Sequence, residues 1–183
     1  LTWSIETTPY NAINKFDELK GIYDLGFHRI SMGVQTVNIS LLKKMEREGD
    51  TLLYKKAVDA IRKAGYTRFN IDLMYGFKEQ SIEDFKSTVE YTVSLAPEYI
   101  TLYEMRYKLT QIAHDAFDVT RAKVNRQYRV AYEILTQNGY KANYGKNTFS
   151  KIENDHGTSD YLTERVIKAT PYLGLGAGAQ SFG

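Results

Sequence analysis

The sequence predicts an α/β fold of parallel βα units, and three observations carry that prediction. Stretches with apolar residues at spacings of three and four alternate with short apolar runs of strand character. Helix after helix ends in one grammar, a glycine followed by an aromatic residue, at Gly26-Phe27, Gly65-Tyr66 and Gly139-Tyr140. Successive strands then carry a polar or charged residue near their C-terminal ends, where parallel βα folds gather their functional groups.

The elements follow in order. A strand at residues 3–6 leads through a first helical region to the stop at Gly26, and a second strand runs over residues 29–35. Asn38 or Ser40 caps a helical segment reaching Arg47, and Asp50 or Thr51 caps the next, whose buried face is Leu53, Ala57, Ala60, Ile61 and Ala64. After Gly65 comes the strand at 69–75. Its Asp72 stands beside Ile71, Leu73 and Met74, so the carboxylate is expected to be walled in and to need a partner. Ser81, with Glu83 and Asp84 near the positive end of the dipole, opens a helix buried through Phe85, Val89, Thr92 and Val93. Pro97 stops that helix, a strand follows at 100–106, and a long helix spans about 119–137. A stretch at 140–149, a polar segment and a glycine-rich run at 171–182 close the chain. Alternate glycines in that run let a ligand or another strand approach the backbone.

At 183 residues, with 43% hydrophobic side chains and no low-complexity linker, the chain is expected to form a single domain, 1–183. A net charge of +2 supplies no large field for nucleic acid or an anionic membrane, so neither is expected as a partner. There is no apolar run long enough to span a bilayer and no signal-like start, which predicts a cytoplasmic protein. With no cysteine, this chain cannot supply a disulfide, a thiolate nucleophile or a thiolate ligand to zinc or an iron–sulfur cluster. The histidines, His28, His114 and His156, share no motif, so no metal site is expected.

The strand-end residues are Glu6, Gln35, Asp72 and Arg106, with Arg47 added by the segment after the second strand. Each alone is more simply a helix cap or a solvated side chain. Converging on one mouth, they suit a zwitterionic ligand with hydroxyl groups: guanidinium forks match carboxylates, and carboxylates accept from ammonium or hydroxyl. Tyr75, Tyr103 and Tyr107 could face a flat ligand, although packing between sheet and helices is the simpler role. Arg121, Lys123, Arg126 and Arg129 read as a basic helix face, most simply solvated.

In order and spacing, Ile30-Ser31-Met32-Gly33-Val34-Gln35, then Arg47, then Asn70-Ile71-Asp72-Leu73-Met74-Tyr75-Gly76, then Leu173-Gly174-Leu175-Gly176-x-Gly178-Ala179 resemble the oxygen-independent coproporphyrinogen III oxidase family of radical S-adenosylmethionine enzymes. The resemblance covers nearly the whole chain. It implies an incomplete parallel (β/α)6 barrel of the TIM type, with the later βα units and C-terminal strands present here, that holds S-adenosylmethionine against a 4Fe–4S cluster. By position, Glu6, Gln35, Arg47 and Asp72 match residues that contact S-adenosylmethionine in that family, and Arg106 and Gln180 fall where further contacts are made. It further implies a tetrapyrrole substrate and an electron donor as partners. The family's Cys-x-x-x-Cys-x-x-Cys loop is missing, so the chain is expected to be a fragment that begins near the third strand, is inactive alone and, with an uncovered sheet edge, self-associates. Phe77-Lys78 in place of Leu-Pro, Ala177 and Gln180 in place of Pro and His, and the run Leu102-Tyr103-Glu104-Met105-Arg106-Tyr107 mark a divergent branch. Related branches include haem chaperones, methyl-transferring enzymes and haem-opening enzymes.

Overall fold

A computed structural model describes residues 3–108, 110, 112–143, 145–155, 157–176 and 179–183. His156, Ala177 and Gly178 of the sequence analysis lie outside the described residues. Strands β1 (Ser4–Thr7), β2 (Arg29–Gln35), β3 (Arg68–Tyr75) and β4 (Tyr99–Glu104) lie side by side in chain order, all parallel. The βα alternation read from the sequence is therefore realised in these strands, as a partial parallel sheet. Beyond them the direction reverses: β5 (Lys141–Ala142) and β6 (Thr148–Ser150) form a hairpin whose second strand pairs antiparallel with β4. The connection between these last strands is too short for a crossover helix, which forces the antiparallel arrangement.

The helices are α1 (Pro9–Asn14), α2 (Phe16–Asp24), α3 (Ile39–Lys44), α4 (Thr51–Lys63), α5 (Ile82–Ser94), α6 (Arg121–Gln137) and α7 (Asp160–Leu162). The caps of α3 and α4 are Asn38 and Asp50: the Asn38 side chain accepts from the Ser40 and Leu41 amides at 3.0 and 3.2 Å, and Asp50 accepts from Leu53 at 2.7 Å. Ser81 and Asp84 form a reciprocal capping box at α5. The glycine stops share one geometry. Gly26, Gly65 and Gly139 have φ of 103°, 107° and 84°, and the aromatic residue after each donates its amide to the carbonyl five residues back: Phe27 to Ile22, Tyr66 to Ile61, Tyr140 to Leu135. At α5 the left-handed residue is Ala96, φ 51°, ahead of Pro97. At α3 it is Glu46, φ 54°, and the Arg47 amide bonds the Leu42 carbonyl at 2.9 Å. No glycine announces that turn, yet it fixes where Arg47 begins.

Period-two alternation gives the sheet two different faces. Ile30, Met32, Val34, Phe69, Ile71, Leu73, Ile100 and Leu102 are all at most 3% exposed. They join Tyr54, Ala57 and Ile61 of α4, Phe85 and Val89 of α5, and Val124, Ala131 and Leu135 of α6 in one core. Truncating a side chain such as Ile71 to alanine costs about 2–5 kcal/mol. The opposite face carries Ser31, Asn70, Asp72, Thr101 and Thr148, linked by hydrogen bonds. This corrects one expectation. Asp72 is not walled in by Ile71 and Leu73, because those neighbours point to the helix side while Asp72 stands half-buried on the polar face.

Tyr75 also belongs to the helix side, 8% exposed and stacked on Phe85 at 5.3 Å, so it packs rather than faces a ligand. Lys123 is not part of a simply solvated face: its ammonium bonds the Phe77 and Lys78 carbonyls at 3.0 and 2.6 Å and ties α6 to the loop after β3. Among the described residues, no helix is long and apolar enough to cross a membrane.

Candidate functional site

The parallel strands end together, and one cleft of about 230 Å³ opens at their C-terminal ends. Its lining includes Glu6 and Thr7 of β1, Thr8 and Asn11 at the start of α1, Ser31, Gly33 and Gln35 of β2, Arg47 and Asp72. The structure thus brings together Glu6, Gln35, Arg47 and Asp72. Arg106 lies past the end of β4, which stops at Glu104, and is exposed; it does not line the cleft. Gln180 is exposed near the end of the chain, where Tyr172 and Phe182 exchange backbone hydrogen bonds at 2.8 and 3.0 Å, and it also lies away from the cleft lining.

Asp72 is held by two donors. Ser31 Oγ donates to Oδ2 at 2.8 Å and Asn70 Nδ2 donates to Oδ1 at 2.8 Å. Asn70 Nδ2 also reaches Ser31 Oγ at 2.7 Å, and its Oδ1 accepts from Thr101 Oγ1 at 2.9 Å, so the amide orientation is set from three sides. Burial holds the Asp72 carboxyl above the ordinary carboxylate range, against the downward pull of these donors, and the Glu6 charge adds to the rise. Burial, with the Asp72 and Glu6 charges, pushes the nearby Tyr103 phenol up to about 12. A negative pair at this rim favours a ligand that brings a cation or hydroxyl donors.

Gln35 sits at an unusual backbone position. It has φ of 68°, the register of β2 against β3 shifts between Gly33 and Gln35, and the Thr36 amide bonds the Val34 carbonyl at 2.8 Å, closing a γ-turn around it. A positive-φ γ-turn at a non-glycine residue is strained and persists only where its surroundings enforce it. Here Tyr54, 1% exposed, points its hydroxyl at the Thr36 carbonyl at 3.2 Å, and Thr36 and Thr88 hydroxyls meet at 3.2 Å. The turn folds the Gln35 amide back over Gly33: a Cβ on Gly33 would stand 2.7 Å from Gln35 Nε2 and 3.4 Å from an Arg47 guanidinium nitrogen. Gly33 therefore leaves the space in which Gln35 and Arg47 meet. Gly49 does the same for the Arg47 loop, since a Cβ there would overlap the Tyr54 hydroxyl.

The end of β3 is also pinned. Buried Gln80 and Gln127 both accept from the Gly76 amide at 3.1 Å, and Gln80 Nε2 returns to the Met74 carbonyl at 3.1 Å. Ser31 and Gly33 line the cleft and Asn70 orients Asp72, roles that the sequence motifs containing them do not assign, while the two glutamines support the end of β3 from outside the cleft lining. Asn70 and Ser31 are within reach of the sequence, because a residue two positions before Asp72 must share its face and Ser31 stands one strand over. The glutamines lie on helix-side segments with no local pattern to mark them.

Comparison with known proteins fits this geometry. Residues 2–92 match the Radical SAM superfamily, SAM being S-adenosylmethionine. The chain belongs to the radical SAM superfamily. It is 30% identical to the haem chaperone HemW of Lactococcus lactis over 98% of this chain and 47% of that protein. It is 29% identical to the oxygen-independent coproporphyrinogen III oxidase of Escherichia coli over 75% of this chain and 31% of that enzyme. The solved coproporphyrinogen III oxidase (HemN) from Escherichia coli, a radical SAM enzyme, superposes with a TM-score of 0.74 at 24% identity over 99% of this chain and 44% of that one. That match shows the same α/β fold with a partial parallel sheet, in keeping with an incomplete TIM-like barrel. The chain thus spans less than half the length of each of these relatives.

Superfamily membership implies S-adenosylmethionine and a 4Fe–4S cluster as cofactors. The cleft's donor set, a guanidinium, a carboxamide and two carboxylates, fits the first. It does not fit the second: the 183 residues contain no cysteine, and among the described residues no group of three His, Asp or Glu is placed to hold a metal ion.

Proposed function

We propose that the cleft binds S-adenosylmethionine, as the ligand-holding part of a radical S-adenosylmethionine oxidoreductase resembling oxygen-independent coproporphyrinogen III oxidase. The observation that carries this reading is the convergence of Glu6, Gln35, Arg47 and Asp72 on one cleft at the ends of parallel strands. Arg47 offers a fork to the methionine carboxylate, while Asp72 and Glu6 accept from the ammonium and the ribose hydroxyls. At about 230 Å³ the cleft is smaller than the ~300–1,000 Å³ of complete small-molecule sites, so it grips one end of such a ligand. In enzymes of this kind one electron from the 4Fe–4S cluster would cleave S-adenosylmethionine into methionine and a 5′-deoxyadenosyl radical; the residues here would bind and orient the S-adenosylmethionine, with the cluster's ligands supplied from outside these 183 residues. The substrate of the parent protein is a tetrapyrrole on this reading, with an electron donor as its other partner and the cytoplasm as its setting.

A second reading is a haem chaperone, or a methyl-transferring or haem-processing relative, on the same scaffold. The 30% identity to the Lactococcus lactis chaperone across nearly the whole chain favours the chaperone among these. Thermal melts test the primary reading: ligand at ~100 times its dissociation constant stabilises by about 2.7 kcal/mol. S-adenosylmethionine should raise the midpoint of the native chain and raise that of Arg47→Ala by distinctly less at the same concentration. An equal rise in both sinks the site assignment. Tight haem binding with no response to S-adenosylmethionine favours the chaperone.

A further inference from the structure

The segment that leaves β4 turns back across the loops that follow β2 and β3. Its start is bonded to the end of β3, with the Met105 amide on the Tyr75 carbonyl at 2.7 Å and the Tyr107 hydroxyl on the Gly76 carbonyl at 2.9 Å. Its short 3₁₀ helix (Ala113–Asp118) then turns Phe117 out to solvent, 93% exposed, and buries Asp115, 3% exposed. Apolar burial alone favours the reverse. A buried carboxylate needs partners, and Asp115 has them on several sides. Lys44 Nζ donates to Oδ2 at 2.5 Å, while His114 Nε2 lies 3.1 Å and Lys78 Nζ 3.7 Å from Oδ1. Lys44 also donates to Glu79 at 2.7 Å, and Lys78 pairs with Asp118 at 2.6 Å. One cluster of charges therefore ties together the segments that follow β2, β3 and β4.

Lys44 is the last residue of α3, and the turn to Arg47 begins directly after it. This helix is only six residues long, and side chains from other elements hold both its ends. At the start Asn38 Nδ2 donates to Asp84 Oδ1 at 3.0 Å; at the end Lys44 reaches Asp115 and Glu79. The turn itself is closed by its own backbone bonds, so its shape is local while its placement is inherited from the end of α3. Between the turn and Thr110 and Ile112 lies a hollow of about 350 Å³, so packing contributes little to that placement. Resting on the reading of the polar cleft given above, we infer that Asp115 is a positioning residue for Arg47: through Lys44 it holds the end of α3 where the guanidinium meets the carboxylate of the bound ligand. Asp115 is absent from the cleft lining and acts only through that placement. A displaced guanidinium loses the fork geometry that makes its contact with a carboxylate strong.

A double-mutant cycle on S-adenosylmethionine binding by the 183-residue chain tests this. Asp115→Asn should weaken binding about fivefold in the native background and change it by less than about twofold in Arg47→Ala, because the carboxylate acts through that guanidinium. Lys44→Gln removes the partner charge at a side chain that is 29% exposed, and it should reproduce both results even where Asp115→Asn folds poorly. 5′-Methylthioadenosine, which keeps the nucleoside and lacks the amino-acid end, should bind the native chain and these variants alike. The same loss in both backgrounds, or an equal loss for 5′-methylthioadenosine, makes Asp115 purely structural and overturns the inference. Native-like affinity for S-adenosylmethionine in Asp115→Asn and Lys44→Gln, beside a weakened Arg47→Ala, overturns the inference alone. No binding by the native chain, or equal affinity in Arg47→Ala, rejects the cleft reading and this inference with it.

Discussion

Replacing Asp72 by asparagine should stabilise the fold at neutral pH while removing a carboxylate that the ligand needs. The ionised group has two donors, Ser31 Oγ and Asn70 Nδ2, both at 2.8 Å. Hydrogen bonds to a charged group are each worth about 1.5–3 kcal/mol. Burial outweighs them, because the carboxyl titrates above its ordinary range. Below about pH 4 it is protonated in both folded and unfolded chains and contributes nothing. As pH rises from there to the raised folded value, the folded state holds more protons than the unfolded one, so stability falls; above that value the penalty is constant. Asparagine carries no charge to desolvate, keeps one acceptor for Asn70 and offers a donor to Ser31. The expected gain is about 1 kcal/mol, typical of relieving a functional site, or a rise of about 2–4 °C in Tm for a chain of this size. Urea unfolding of both proteins at about pH 3, below the ordinary carboxylate range, and at pH 8 reads it directly. The variant should be the more stable, with a wider margin at pH 8. A variant less stable than the native chain at pH 8, or a margin equal at both pH values, would refute the reasoning.

Gly33→Ala should displace the Gln35 amide, 2.7 Å from the new methyl group, and press on Arg47; the result is an S-adenosylmethionine affinity lower by about tenfold in dialysis, with a melting midpoint close to native because both obstructing groups are side-chain ends. Gln127→Leu removes a fully buried amide that bonds the Gly76 amide and the Gln80 and Ser81 carbonyls, and urea curves should show a loss of about 2–4 kcal/mol; a loss under ~1 kcal/mol means that this clamp is dispensable. The open edge of β1, with Trp3, Leu173, Leu175 and Phe182 all more than half exposed, should make the 183-residue chain self-associate; cleanly monomeric elution at high concentration would count against this.

Much of the fold is legible in local signals with strong physical causes. Gly26, Gly65 and Gly139 mark helix ends because a left-handed residue is cheapest as glycine. Asn38, Asp50 and Ser81 mark helix starts because their side chains satisfy amides that the helix cannot. The turn at Glu46 has no such mark, since Glu46 takes the same left-handed conformation with a Cβ, in a turn closed by the bonds of its own amide to the Lys43 carbonyl and of the Arg47 amide to the Leu42 carbonyl. Asp72 stands out as a carboxylate in an apolar run, but its surroundings differ from those the run suggests: neighbours in sequence are not neighbours in space, because a strand sends them to the opposite face. The same alternation is what brings Ser31 and Asn70 to Asp72. Glu6, Gln35, Arg47 and Asp72 are legible because parallel strand ends share one rim, and the structure draws them into one cleft. Arg106 falls on that rim only if the strand runs two residues longer than β4 proves to be. A neighbouring hollow of about 350 Å³ that Met45, Met74 and Met105 help to line is invisible in sequence, because these residues have no common spacing and meet only through the packing of α3, β3 and the loop after β4.

Calorimetric titration of S-adenosylmethionine into the 183-residue chain, beside Arg47→Ala and Asp72→Ala, tests the central claim most directly. Each substitution removes a charged partner worth about 1.5–3 kcal/mol, so affinity should fall by roughly 10- to 150-fold in each variant while both remain folded. Equal affinity in all three proteins would contradict the assignment of this cleft.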